Sequence, residues 1–75
     1  MNEEKLQAIF AKELNLDLAK VTDDLAYNGI PQWDSLAHMS LIAAIEEGFD
    51  IMIDAQDVID MSSFAKAKEI VTKYI

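Results

Sequence analysis

Apolar residues recur every three or four positions in three stretches of this chain, and nowhere in the two-residue alternation of a half-buried strand. Leu6, Ile9, Phe10 and Leu14 form the first set, and Phe64, Ala67, Ile70, Val71 and Tyr74 form the last. Between them, Leu36, Met39, Ile42, Ala43 and Phe49 make an inner stripe. Leu41 and Ile45 widen that apolar face and leave part of it for partners. Such faces are buried helix against helix, so the spacing predicts an all-α fold.

A first helix is expected over residues 3–15, with Asn2 as its cap. Across residues 16–32 the pattern breaks, and Thr22-Asp23-Asp24, Asn28-Gly29 and Pro31 all favour turns. A loop of that length in a compact domain is usually functional or strapped down. Leu18, Val21, Leu25, Tyr27 and Ile30 are its expected anchors, with Trp33 closing its end. A second helix is expected over residues 35–47, stopped by Gly48 as a C-cap residue. Asp54 and Asp57 can cap a short third helix through residue 60, and Ser62 or Ser63 a fourth. The architecture expected is a small four-helix bundle over residues 1–75, one domain, with three longer helices, one short one and a long loop between the first two.

Chemistry concentrates at Asp34-Ser35-Leu36, where the turn-rich stretch gives way to the amphipathic run. Asp34 has the short carboxylate of an N-cap, and Ser35 falls on the first helical position. A phosphate ester on that hydroxyl would meet the unpaired N–H groups and positive dipole of a helix start. A hydrolytic role does not fit. The only histidine, His38, shares a helical turn with Ser35, and no oxyanion hole accompanies the pair, so no catalytic residue is expected. His38 reads as an exposed polar residue, or as a contact for a prosthetic arm or partner.

Zero cysteines and one histidine leave zinc no ligand set, and Asp50, Asp54, Asp57 and Asp60 lack the spacing, glycine and terminal Glu of a calcium loop. No metal site is expected. With no cysteine, any thiol chemistry needs a cofactor to bring the sulfur. Met39, Met52 and Met61 read as core filler. Ala43 and Ala44 fit either open space between helices or close helix packing.

The formal charge of −8 is unevenly spread. Residues 1–22 net −1 and residues 61–75 net +2, whereas residues 23–60 hold nine carboxylates and no lysine or arginine. The acidic excess therefore surrounds Ser35. Nucleic acid and anionic membrane surfaces would be repelled, and a basic protein surface attracted. The start, Met-Asn-Glu-Glu-Lys, lacks the features of a secretion signal, and no apolar run approaches membrane-spanning length. A cytoplasmic monomer is the expectation.

Asp34-Ser35-Leu36, then Leu41-Ile42-Ala43-Ala44-Ile45-Glu46-Glu47 and Phe49-Asp50-Ile51, resembles an acyl carrier protein across nearly the whole chain. The tripeptide alone is a weak motif; joined to Glu46-Glu47-Gly48-Phe49-Asp50-Ile51 in a short acidic chain it is specific. The resemblance implies 4'-phosphopantetheine joined covalently to Ser35 beside Asp34, transferred from coenzyme A by a Mg²⁺-dependent phosphopantetheinyl transferase. The arm's thiol would hold acyl groups as thioesters, and the chain itself would catalyse nothing. Implied partners are that transferase, an acyl-loading ligase or transferase, and downstream biosynthetic enzymes with basic docking surfaces. Leu36, Met39, Glu46 and Glu47 are the candidate docking residues.

The chain departs from the fatty-acid-synthesis pattern, which has Gly two residues before the Asp and carboxylates early on the second helix. Here Gln32-Trp33 precede Asp34, and Ala37, His38 and Ser40 occupy the helix start. A specialised, stand-alone carrier for a dedicated pathway is therefore expected, making a secondary metabolite or a surface sugar or lipid. The alternatives are a carrier for fatty acid synthesis itself, a peptidyl or aminoacyl carrier, and an unmodified acidic protein-interaction domain.

Overall fold

Three of the four helix starts are held by side chains that the sequence offers as caps. The computed structural model describes residues 1–75. Asn2 Oδ1 accepts from Lys5 N at 3.0 Å and opens α1 (Glu3–Glu13). Asp34 Oδ1 accepts from Ala37 N at 2.9 Å and opens α2 (Ser35–Phe49). Ser63 Oγ accepts from Lys66 N at 3.0 Å and opens α4 (Phe64–Tyr74). The short α3 (Ala55–Asp60) follows Asp54, which makes no side-chain cap bond. The fold is the all-α four-helix arrangement expected, with no strands beyond one isolated bridge.

Both long N-terminal helices stop where a non-glycine residue turns left-handed. Asn15, at φ 55°, ends α1 two residues sooner than expected, and Leu16 N donates back to Ala11 O at 2.9 Å. Asp50, at φ 56°, ends α2, and Ile51 N donates to Glu46 O at 3.1 Å. Gly48 is therefore not the C-cap; it lies inside α2. Its missing side chain serves helix packing instead. A Cβ there would sit 2.8 Å from Ile9 Cδ1 of α1, so glycine lets the two helices approach.

The core gathers Leu6, Phe10 and Leu14 from α1, Leu41, Ile42 and Ile45 from α2, and Phe64, Ala67, Ile70 and Val71 from α4. Each of these side chains larger than Ala67 contributes about 1.5–3 kcal/mol when fully buried. The face assignment of α2 is corrected here. Leu41 and Ile45 are fully buried, whereas Leu36 and Met39 are 80% and 61% exposed. Of the three methionines read as filler, only Met61 is buried; Met39 and Met52 face solvent.

The segment between α1 and α2 is a strap laid across the bundle. A 3₁₀ turn, Leu18–Lys20, is tied to α1 by Gln7, whose Nε2 donates to Leu18 O and Val21 O. Backbone anchoring lets the Leu18 side chain point outward, so it is not the core anchor expected. Val21, Leu25 and Trp33 are buried, and Tyr27 and Ile30 are half-buried. At its middle the strap pairs with the α3–α4 turn: Tyr27 N donates to Ser62 O and Phe64 N to Leu25 O, each at 2.9 Å.

Asp57 does not cap α3. Its carboxylate turns inward and accepts from Lys73 Nζ at 2.7 Å and from the Tyr74 hydroxyl, both of α4. The Lys73 bond first, and the Tyr74 bond second, hold its pKa below the ordinary carboxylate value despite opposition from burial. A depressed native pKa contributes stability that is fully present above the unfolded value of about 3.9 and is lost as pH falls through the lower native one. Asp57→Asn should therefore be less stable than the parent by a constant margin from pH 7 to about 5. That margin should shrink below about pH 4, as read by thermal midpoints across the pH series. A margin that does not change with pH would show that the carboxylate charge contributes nothing.

Candidate functional site

Ser35 is the first residue of α2 and its side chain is exposed. The Asp34 cap occupies Ala37 N, and Asp34 O accepts from His38 N at 2.9 Å. The N–H groups of Ser35 and Leu36 are left with no acceptor in the protein. An exposed hydroxyl thus stands beside two free backbone donors at the positive end of a fifteen-residue helix. Those are the parts that a phosphodiester on Ser35 would use: a point of attachment and donors for its charged oxygens.

The hydroxyl is also oriented. Tyr27 Oη and Ser35 Oγ share a hydrogen bond of 2.8 Å, in which either can donate. The Tyr27 ring packs edge-on against Trp33 at 6.2 Å and against His38 at 5.2 Å between centroids. Trp33 is fully buried and stacks on His38 at 6.0 Å. It also meets the Phe10 ring edge-on at 5.4 Å, which seats the whole cluster on α1.

His38 is not the exposed residue expected; it is half-buried and both its ring nitrogens are engaged. Trp33 Nε1 donates to His38 Nδ1 at 2.9 Å, since an indole nitrogen can only donate. The Val58 carbonyl can only accept, so His38 Nε2 carries the proton and donates to it at 2.8 Å. These partners assign a neutral imidazole with its hydrogen on Nε2. The ring thereby joins the strap to α2 and to α3. Trp33 and His38 flank the Asp34 cap as N′ and N4, the spacing of a hydrophobic staple, and that spacing was visible in the sequence. Nothing local flagged Tyr27, because its approach to Ser35 depends on the strap pairing with the α3–α4 turn.

Leu36 and Met39 share an exposed side of α2 with Ser40, Ala43 and Glu47. Glu46 sits differently: its Oε2 accepts from Ile53 N at 2.9 Å and pins the segment before α3. Gly48 approaches Ile9 of α1 closely, and a groove of about 320 Å³ runs along that seam, lined by Lys5, Lys12, Glu13 and Glu47 beside Ile9, Ala44 and Gly48, a mostly polar lining that does not suit an acyl chain. A groove of about 270 Å³ lies elsewhere, lined by Tyr27, His38, Val58, Ile59, Met61 and Ser62. No helix is long and apolar enough to cross a membrane.

Comparison with known proteins agrees with the geometry. Residues 4–69 match the family model described as the phosphopantetheine attachment site. The chain is 34% identical over 65 residues to the acyl carrier protein of Buchnera aphidicola subsp. Schizaphis graminum, covering 87% of this chain and 82% of that one. It is 32% identical over 72 residues to the acyl carrier protein of Guillardia theta, covering 96% and 89%. The fold is similar to the solution structure of the holo acyl carrier protein from Geobacter metallireducens. That match has a TM-score of 0.83 and 26% identity over 96% of this chain and 83% of the other.

Proposed function

Because the chain belongs to the acyl carrier protein family, with its covalent phosphopantetheine, we propose that the group is esterified to Ser35 and that residues 1–75 act as one carrier domain. The observation that supports Ser35 is its exposed hydroxyl at the start of α2, beside the two unpaired N–H groups. When bound, the arm supplies the thiol that a chain without cysteine lacks. The protein supplies a fixed point of attachment and a surface to be recognised. Asp34 caps the helix that presents the hydroxyl, and the acidic residues around it attract a basic transferase.

Incubation with a phosphopantetheinyl transferase, coenzyme A and Mg²⁺ should add one phosphopantetheine to the intact protein. Fragmentation should place it on Ser35 and leave Ser40, Ser62 and Ser63 bare. An unmodified acidic interaction domain would gain no mass. Modification of another serine would remove Ser35 from the site.

The exposed side of α2 supports a reading of the pathway. Its first turn holds no acidic residue, and Leu36 and Met39 project from it into solvent. Enzymes that read early carboxylates on this helix lose their contacts here, whereas a partner with an apolar seat and a basic rim near Glu47 gains them. The carrier accordingly serves a dedicated pathway, making a secondary metabolite or a surface sugar or lipid. Malonyl transfer to the loaded protein by housekeeping fatty-acid enzymes should be at least about tenfold slower than to their own carrier, one missing contact pair being worth roughly that much. Equal rates would place the protein in ordinary fatty acid synthesis.

A further inference from the structure

Tyr27 is the one side chain hydrogen-bonded to the Ser35 hydroxyl, and the strap's pairing with the α3–α4 turn holds its backbone in place. We propose, on the premise that Ser35 is the esterified serine, that Tyr27 is a positioning residue that aims the serine oxygen for transfer and afterwards holds the phosphodiester. A serine on the first turn of a helix has several staggered positions for its oxygen, and the 2.8 Å bond selects one. Tyr27 can select it because its own ring is fixed edge-on against Trp33 and His38, and its N–H is bonded to Ser62 O.

The direction of the bond decides what it does. With Tyr27 donating, the Ser35 proton is free to pass to a base on the transferase. The serine oxygen then forms its bond to the coenzyme A phosphorus next to the pantetheine, and the bond from that phosphorus to the adenosine bisphosphate breaks. Negative charge gathering on Oγ is met by the phenol proton. A neutral phenol is too weak a base to take the serine proton, so Tyr27 positions and polarises without abstracting. Once Oγ is an ester oxygen it is a poor acceptor. The phenol then has a better partner in a charged phosphate oxygen, which the N–H groups of Ser35 and Leu36 can also bind. The strap is thereby tied to α2 both before and after loading.

Tyr27→Phe removes only the hydroxyl and keeps the ring contacts. With a phosphopantetheinyl transferase and coenzyme A, its kcat should fall about 3- to 10-fold, the worth of one hydrogen bond, while KM stays unchanged because Tyr27 lies off the docking side. The ³¹P resonance of the loaded variant should also move from its wild-type position. Ile30→Val loosens the same strap and leaves the hydroxyl in place, so it should keep both the wild-type kcat and the wild-type resonance; losses in that variant would reduce Tyr27 to a packing role. An unchanged kcat or an unmoved ³¹P resonance in Tyr27→Phe overturns the positioning role. Wild-type modification mapped to a serine other than Ser35 would instead overturn the attachment site itself, so the two failures are distinguishable.

Discussion

A Ser35→Ala variant should fold like the parent and gain no phosphopantetheine at all. The loss is complete because transfer needs an oxygen to bond to phosphorus, and alanine offers none. The fold should be indifferent for three reasons. The side chain is exposed, so no cavity forms. The Asp34 cap bonds Ala37 N, so the helix start does not depend on Ser35. The Tyr27 hydroxyl lies where water can replace the lost partner. Alanine is moreover the better helix former, so the change in stability should stay within about 0.5 kcal/mol. Intact-mass spectrometry after transferase treatment, beside a thermal melt, reads both quantities. A folded variant that still gains the arm would mean that another serine carries it. A variant that fails to fold would mean that the hydroxyl holds the strap far more strongly than an exposed hydrogen bond can.

The helices were legible in the sequence because their caps are short-range chemistry. Asn2, Asp34 and Ser63 each accept from the N–H three residues on, an interaction that depends on no distant part of the chain. The candidate serine, Ser35, was legible for the same reason, being one residue past such a cap. The facing of α2 was not. Apolar residues occur around most of its circumference, so periodicity alone could not choose between the Leu36–Met39 side and the Leu41–Ile45 side. Tertiary packing chose, and Gly48, read as a stop, is a point of close approach to α1 in that packing. Asp57 went astray likewise. Its capping chemistry was real, but Lys73 and Tyr74, sixteen and seventeen residues on, offered stronger bonds. What the sequence hid about the site is therefore its long-range part, the contacts that bring Tyr27 to Ser35 and His38 to Val58.

Trp33→Ala should be the most damaging single substitution in the chain. The indole is the largest fully buried side chain, and its removal should cost about 3–5 kcal/mol. A domain of this size has only about 4–11 kcal/mol to lose, so the variant should be largely unfolded or close to it at 37 °C. His38→Ala attacks the same cluster by a different route. It leaves the buried Trp33 N–H without its acceptor and the Val58 carbonyl without its donor, for a cost of about 2–3 kcal/mol. The two routes can be separated because Phe in place of Trp33 removes the orphaned N–H while keeping a ring. In a Trp33→Phe background, His38→Ala no longer strands a donor, and its cost should fall by about 1–2 kcal/mol. Urea titrations of the parent, both single variants and the double variant give that difference directly. Costs that add to within about 0.5 kcal/mol would show the Trp33–His38 bond to be energetically idle. The staple would then hold the start of α2 by ring stacking alone.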